Sequence, residues 1–139
     1  MTTETTQTID AAEFFARERL AWSETEFANQ IIATAIPLGW LVKRDPPWRP
    51  TAAAAGYPDL TMVNGQRRRI IFAELKTQKG RISSAQHDWI DALDDACYES
   101  VERHNVSVVV WRPSDWDEIG AVLRGELCAR CAYTERGKR

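Results

Sequence analysis

The stretch DLTMVNGQRRRIIFAELK, residues 59–76, decides how this chain is read. Two apolar runs, DLTMV (59–63) and RIIFAELK (69–76), flank a polar turn, NGQRR, which is the pattern of a β-hairpin. Yet Glu74 and Lys76 stand inside the second run, where a buried strand should carry no charge. Buried charge is costly unless it is paired, hydrogen-bonded or bound to a metal. Residues i and i+2 of a strand share a face, so Glu74 and Lys76 project together with Phe72, while Ile71, Ala73 and Leu75 project the other way. Setting Asp59 opposite Glu74 in antiparallel pairing brings the two Cβ atoms to roughly 5 Å.

The turn gives this pairing an internal test. If Asn64-Gly65 were the centre of a tight type I′ turn, Val63 would pair with Gln66, and Asp59 would face Ile70. Glu74 would then lie four residues away, roughly 13 Å. The carboxylates meet only with a wider loop, Asn64 to Arg69, and Val63 opposite Ile70. The expectation is the wide loop. Two carboxylates so close repel, and a hard divalent cation taking oxygens from both relieves the repulsion. Asp59 and Glu74 are therefore the candidate metal ligands, with the Leu75 backbone carbonyl as a third. Such a cation, Mg²⁺ for example, suits phosphodiester hydrolysis, with Lys76 orienting or deprotonating the water and offsetting charge on phosphorus. The small residues of AAAAGYP (52–58) would allow close backbone approach before Asp59.

Outward from the hairpin, charge is unevenly spread. Between Lys43 and Arg81 there are nine Lys/Arg against three Asp/Glu, and between Ile82 and Asn105 six acids against one Arg. A net charge of −2 gives no global nucleic-acid signal, but a polarised surface accommodates DNA. Lys43, Arg44, Arg49, Arg67, Lys79 and Arg81 are the candidate phosphate contacts, and Trp48 could stack on a base. Three cysteines in 139 residues argue against a disulfide framework and for a reducing, cytoplasmic setting. CARC (128–131) has zinc-like spacing but lacks two of four ligands unless Cys97 and His104 complete it. The polar opening MTTETTQT reads as a frayed terminus rather than a signal peptide or anchor.

The element order follows from caps and periodicity. A helix over Ile9–Ala21 has Asp10 as N-cap, and a second, SETEFANQIIATAI, has the Ser23/Glu26 capping box and a Trp22–Phe27 staple. WLVK (40–43) is a strand, followed by the long loop RDPPWRPTAAAAGYP. After the hairpin comes the helix SAQHDWIDALDDACYESVERHN, then the strand VSVVVW (106–111), covered on both faces, then a helix capped by Ser114 and Asp117 through about Leu123. The expected fold is an α/β sandwich with a mixed central sheet. Residues 1–8 form a flexible terminus, 9–125 a single domain, and 126–139 a tail.

GYPD, the hairpin, AELK, the Gln of RISSAQHDWIDAL and the ending VVVWRPSDWDEI together resemble the PD-(D/E)xK nuclease superfamily. More narrowly they resemble the small stand-alone VRR-NUC proteins of phages and bacteria, which are similar to Holliday-junction resolvases. The resemblance runs from about Ser23 to Ile119. It implies a restriction-endonuclease-like αβββαβ core with an extra N-terminal helix. It also implies Mg²⁺ or Mn²⁺ on Asp59 and Glu74, a catalytic Lys76, a supporting Gln86 and an acid of the first core helix, Glu26, with Glu24 its near rival. The implied partner is DNA, with branched, flap or junction substrates, and homodimers are common in the family. The implied setting is the cytoplasm of a bacterial or phage-infected cell. Two other functions compete with an endonuclease. One is a non-catalytic DNA-binding scaffold that retains the fold, and the other is a nuclease acting on RNA.

Overall fold

The computed structural model describes residues 8–45, 55–98 and 105–135. Trp48, Arg49, Val101 and His104, with both chain ends, lie outside the described residues. Helix α1 (Ala11–Leu20) starts where the Asp10 side chain accepts from Glu13 N at 2.8 Å. Helix α2 (Glu24–Ala35) starts at the Ser23/Glu26 capping box, with Trp22 stacked on Phe27 at 6.2 Å between ring centroids. A 3-10 turn, Ile36–Leu38, ends at Gly39 in the left-handed region, and strand β1 (Leu41–Arg44) follows.

Strands β2 (Leu60–Asn64) and β3 (Arg69–Leu75) form the expected hairpin. Val63 pairs with Ile70, and the turn spans the residues between Asn64 and Arg69, so the wide-loop register holds. Arg68 takes a positive φ of 53° to close it. The polar turn thus sets which residues meet at the far end of the hairpin. Helix α3 (Ser84–Tyr98) then crosses over to β4 (Val106–Trp111), which runs parallel to β3. The sheet order is β1-β2-β3-β4, mixed as expected, within a restriction-endonuclease-like α/β arrangement.

Strand alternation sorts the two faces. Phe72 meets Tyr57, which in turn meets Trp89 of α3, whereas Ile71 faces Trp40, Val122 and Ala129 on the other side. Buried Phe27, Ile31, Leu60, Met62, Ile119 and Leu123 continue the core. β4 is buried along nearly its whole length, the reason its sequence is apolar without alternation.

Two details depart from the sequence expectation. Helix α4 (Trp116–Leu123) follows a 3-10 turn, Pro113–Asp115, and no side chain caps it. Ser114 is drawn instead into a contact with Gln78, and the Asp115 carboxylate accepts from Arg112 N at 2.9 Å. Residues assigned to a tail also form a further helix, α5 (Ala129–Glu135), which packs on β4 with Ala129 buried.

Candidate active site

At the open end of the hairpin the register continues from Leu60–Ala73 and sets Asp59 beside Glu74. Asp59 is fixed by the next residue of the facing strand: its Oδ2 accepts from Leu75 N at 2.8 Å. The approach to Asp59 depends on Gly56, at φ +85°. A Cβ there would fall on the Ala85 carbonyl and 2.7 Å from Gln86 N, so the PD turn lies directly on the start of α3. Tyr57 adds a second tie, through a 3.0 Å contact between its hydroxyl and Thr61 Oγ1 and an edge contact with Trp89.

That packing delivers Gln86. Ser83 and Gln86 cap α3 reciprocally, with Ser83 N donating to Gln86 Oε1 at 2.8 Å. The amide nitrogen remains available, and Gln86 Nε2 donates to Glu74 Oε1 at 2.7 Å. Gln86 therefore caps its helix and reaches the site at once. Lys76 Nζ lies 3.4 Å from the same Glu74 oxygen. Lys76 is braced from behind by its own N–H, which donates to Trp111 O at 3.0 Å.

Glu74 is 1% exposed, and its Oε2 is buried with no hydrogen-bond partner. Burial, then the Asp59 charge, push its carboxyl up to about 8. Asp59 is also raised, by burial, against the lowering effect of the Leu75 N–H. Burial and mutual repulsion thus disfavour charge on both carboxyls, and a cation between them would relieve both effects. An orphaned buried oxygen beside a second carboxylate fits a hard divalent ion. Among the described residues no three His, Cys, Asp or Glu side chains cluster as a metal site. The remaining positions would fall to a main-chain carbonyl, water and phosphate, as Mg²⁺ allows.

Glu26 is not at this centre. Its carboxylate accepts from Ser23 N at 2.8 Å in the helix cap and faces solvent. Residues two apart on a helix point roughly 200° apart, and it is Glu24 that turns inward, with Oε1 4.0 Å from Lys76 Nζ. Glu24 lines a small cleft with Thr25, Ala28, Arg44, Asp45, Asp59 and Leu75. The cleft volume of about 50 Å³ leaves room for an ion with a water or two.

The basic candidates divide. Arg44 lines the same cleft, donates to Asn29 Oδ1 at 2.9 Å and lowers the Asp59 carboxyl. Lys43 is exposed beside Asp45 at 3.4 Å. Lys79 and Arg81 are exposed on the loop just after Lys76. Arg67 is not gathered with them, because it lies at the turn, against Gly125, roughly 17 Å of strand from the carboxylates. Replacing Lys79 and Arg81 together by Ala should flatten the salt dependence of DNA affinity by one to two units of log–log slope, about 0.9 per lost phosphate contact. An unchanged slope would place both residues off the DNA path.

The family model of the VRR-NUC domain matches residues 51–115, a span that holds Asp59, Glu74, Lys76 and Gln86. Residues 51–115 are similar to a VRR-NUC domain. VRR-NUC domains are nuclease domains of the PD-(D/E)xK type, a family that acts on DNA. No curated protein and no solved structure matches the chain. The VRR-NUC match stops at Asp115, so it takes in the RPSD turn after β4. That turn includes Arg112, for which the residues alone suggested no role. Its only signal was a cation directly after the apolar strand. Cys97, Cys128 and Cys131 form no disulfide. No helix among the described residues is long and apolar enough to cross a membrane.

Proposed function

We propose that this protein is a divalent-metal-dependent DNA endonuclease selective for branched, flap or junction DNA. The observation that carries the reading is the Asp59–Glu74–Lys76 cluster, with Glu74 Oε2 buried and unpartnered beside a second carboxylate. Asp59, Glu74 and the Leu75 carbonyl would hold Mg²⁺ or Mn²⁺. Bound there, the ion would supply charge for a phosphate oxygen and acidity for a water.

The chain's own residues do the rest. Gln86 fixes the Glu74 carboxylate in one orientation. Lys76 sets its ammonium beside that carboxylate, where it can orient the attacking water and offset charge developing on phosphorus. Glu24 faces the same ammonium across the cleft and holds it from the solvent side. Water oxygen bonds to phosphorus as the bond to the 3′ oxygen breaks, leaving a 3′ hydroxyl and a 5′ phosphate. One proton of the water passes to solvent, and the departing 3′ oxygen takes one up from solvent. Homodimeric assembly and a cytoplasmic setting belong to the same reading.

The test is incubation with linear, flap and four-way-junction DNA, and with matched RNA, with and without Mn²⁺. Cleavage of branched DNA with Mn²⁺ is expected, falling by about 100-fold or more in Lys76→Ala, the scale of losing one charge-stabilising group. Asp59→Asn should weaken Mn²⁺ binding in calorimetry. Binding of DNA without cutting under any metal would leave a scaffold, and preferential digestion of RNA would reassign the substrate.

A further inference from the structure

The RPSD turn after β4 is built onto the loop that follows Lys76. Arg112 Nη1 donates to Thr77 O at 2.8 Å and to Gly80 O at 2.7 Å. One nitrogen thus bridges the two ends of the Thr77–Gly80 turn, which is itself closed by Gly80 N donating to Thr77 O at 3.2 Å. Gln78 and Ser114 bond twice beside it: Gln78 Nε2 donates to Ser114 Oγ at 3.0 Å, and Ser114 N donates to Gln78 Oε1 at 3.1 Å. Arg112 is in turn held by its own N–H on the Asp115 carboxylate, which is nearly fully buried. Gly80 packs closely here, since a Cβ there would sit 2.9 Å from Thr77 Oγ1 and 3.5 Å from Lys76 Cδ.

These contacts hold the turn that begins one residue after Lys76 and brings Gly80 beside the Lys76 stem. From the geometry we infer that Arg112 is a positioning residue for the nuclease reaction, clamping the 77–80 turn so that Lys76 stays over Glu74. A lysine has four rotatable side-chain bonds, and a mobile backbone at residue 77 would let its ammonium swing off the carboxylate. A small misplacement of a catalytic group lowers the rate without changing how substrate binds. The clamp leaves the carboxylates themselves untouched, because Asp59 is tied to Leu75 and Glu74 to Gln86. The assignment rests on the proposed nuclease reading for its rate effect, but not for its structural effect.

The experiment compares wild type, Arg112→Ala, Arg112→Lys and Gln78→Leu in steady-state cleavage of junction DNA with Mn²⁺, and in hydrogen exchange of the Thr77–Gly80 amides. Arg112→Ala should lower kcat by about 10- to 100-fold with KM and Mn²⁺ affinity within about twofold of wild type, the signature of lost orientation rather than lost binding. Because both carbonyls are served by a single nitrogen, Arg112→Lys should restore most of the rate, which a role in general folding would not predict. Gln78→Leu removes only the outer pair and should give a smaller loss of kcat, so the inference stays testable if Arg112→Ala fails to fold. Amide exchange at 77–80 should rise in Arg112→Ala and stay near wild type in Arg112→Lys. Wild-type cleavage with unchanged kcat in Arg112→Ala, or unchanged exchange at 77–80, overturns the assignment. If wild type cuts no nucleic acid, the nuclease reading fails, and the exchange measurement alone decides whether the clamp exists.

Discussion

Glu74→Gln should abolish cleavage and yet make the metal-free protein more stable at pH 8. The two effects have one cause. The Glu74 carboxyl is raised from 4.5 to about 8, by burial first and by the Asp59 charge second. A group whose folded pKa lies above its unfolded one contributes stability fully below the unfolded value, here near 4.5, and loses that contribution as pH rises through about 8. Metal-free wild type should therefore weaken between pH 5 and 8, while Glu74→Gln, which leaves only Asp59 of the pair to ionise, should weaken less. At pH 8 the variant should melt roughly 5 °C higher, equivalent to about 2 kcal/mol for a chain of this size. Added Mn²⁺ should raise the melting temperature of wild type and not of the variant. Equal melting of both metal-free proteins across that pH range would show that the carboxylate pair is not strained, and would remove the physical reason for a cation.

Gly56→Ala should damage both the fold and the site. The backbone there is left-handed, at φ +85°, which costs an L-residue about 1–2 kcal/mol before any contact is made. The added methyl also meets main chain at Ala85 and Gln86, which cannot swing aside as a side chain would. A loss of about 3 kcal/mol or more is expected, or roughly 10 °C in melting temperature. Relief requires moving the PD turn away from α3, which separates Gln86 from Glu74. Cleavage should thus fall even at temperatures where the variant remains folded. Melting within about 2 °C of wild type would mean the turn does not rest on α3 as described.

Much of this site was legible in the sequence because chemistry constrained geometry. The demand that Asp59 reach Glu74 excluded the tight Asn64-Gly65 turn, and the pairing of Val63 with Ile70 follows that demand. The small residues before Asp59 likewise pointed to close approach, found at Gly56. What was not legible depended on competition between partners. Glu26 and Glu24 are the same residue type, and only helix phase, anchored by the capping box, turns one outward and the other towards Lys76. Ser114 looked like a helix cap, but Gln78, far away in sequence, holds it instead. Helix α5 was hidden because its short, mixed stretch buries Ala129 on β4 without an apolar stripe of its own. Arg112 was hidden for a related reason. Its partners are main-chain carbonyls, which every sequence supplies and no sequence pattern marks.

The cation itself is the most direct test. Crystals soaked in Mn²⁺ and measured for anomalous scattering should show a peak bonded to both Asp59 and Glu74, with Glu74 Oε2 as one ligand and each carboxylate oxygen within about 2.5 Å. A peak held elsewhere, or none between these two side chains at saturating Mn²⁺, would contradict the account.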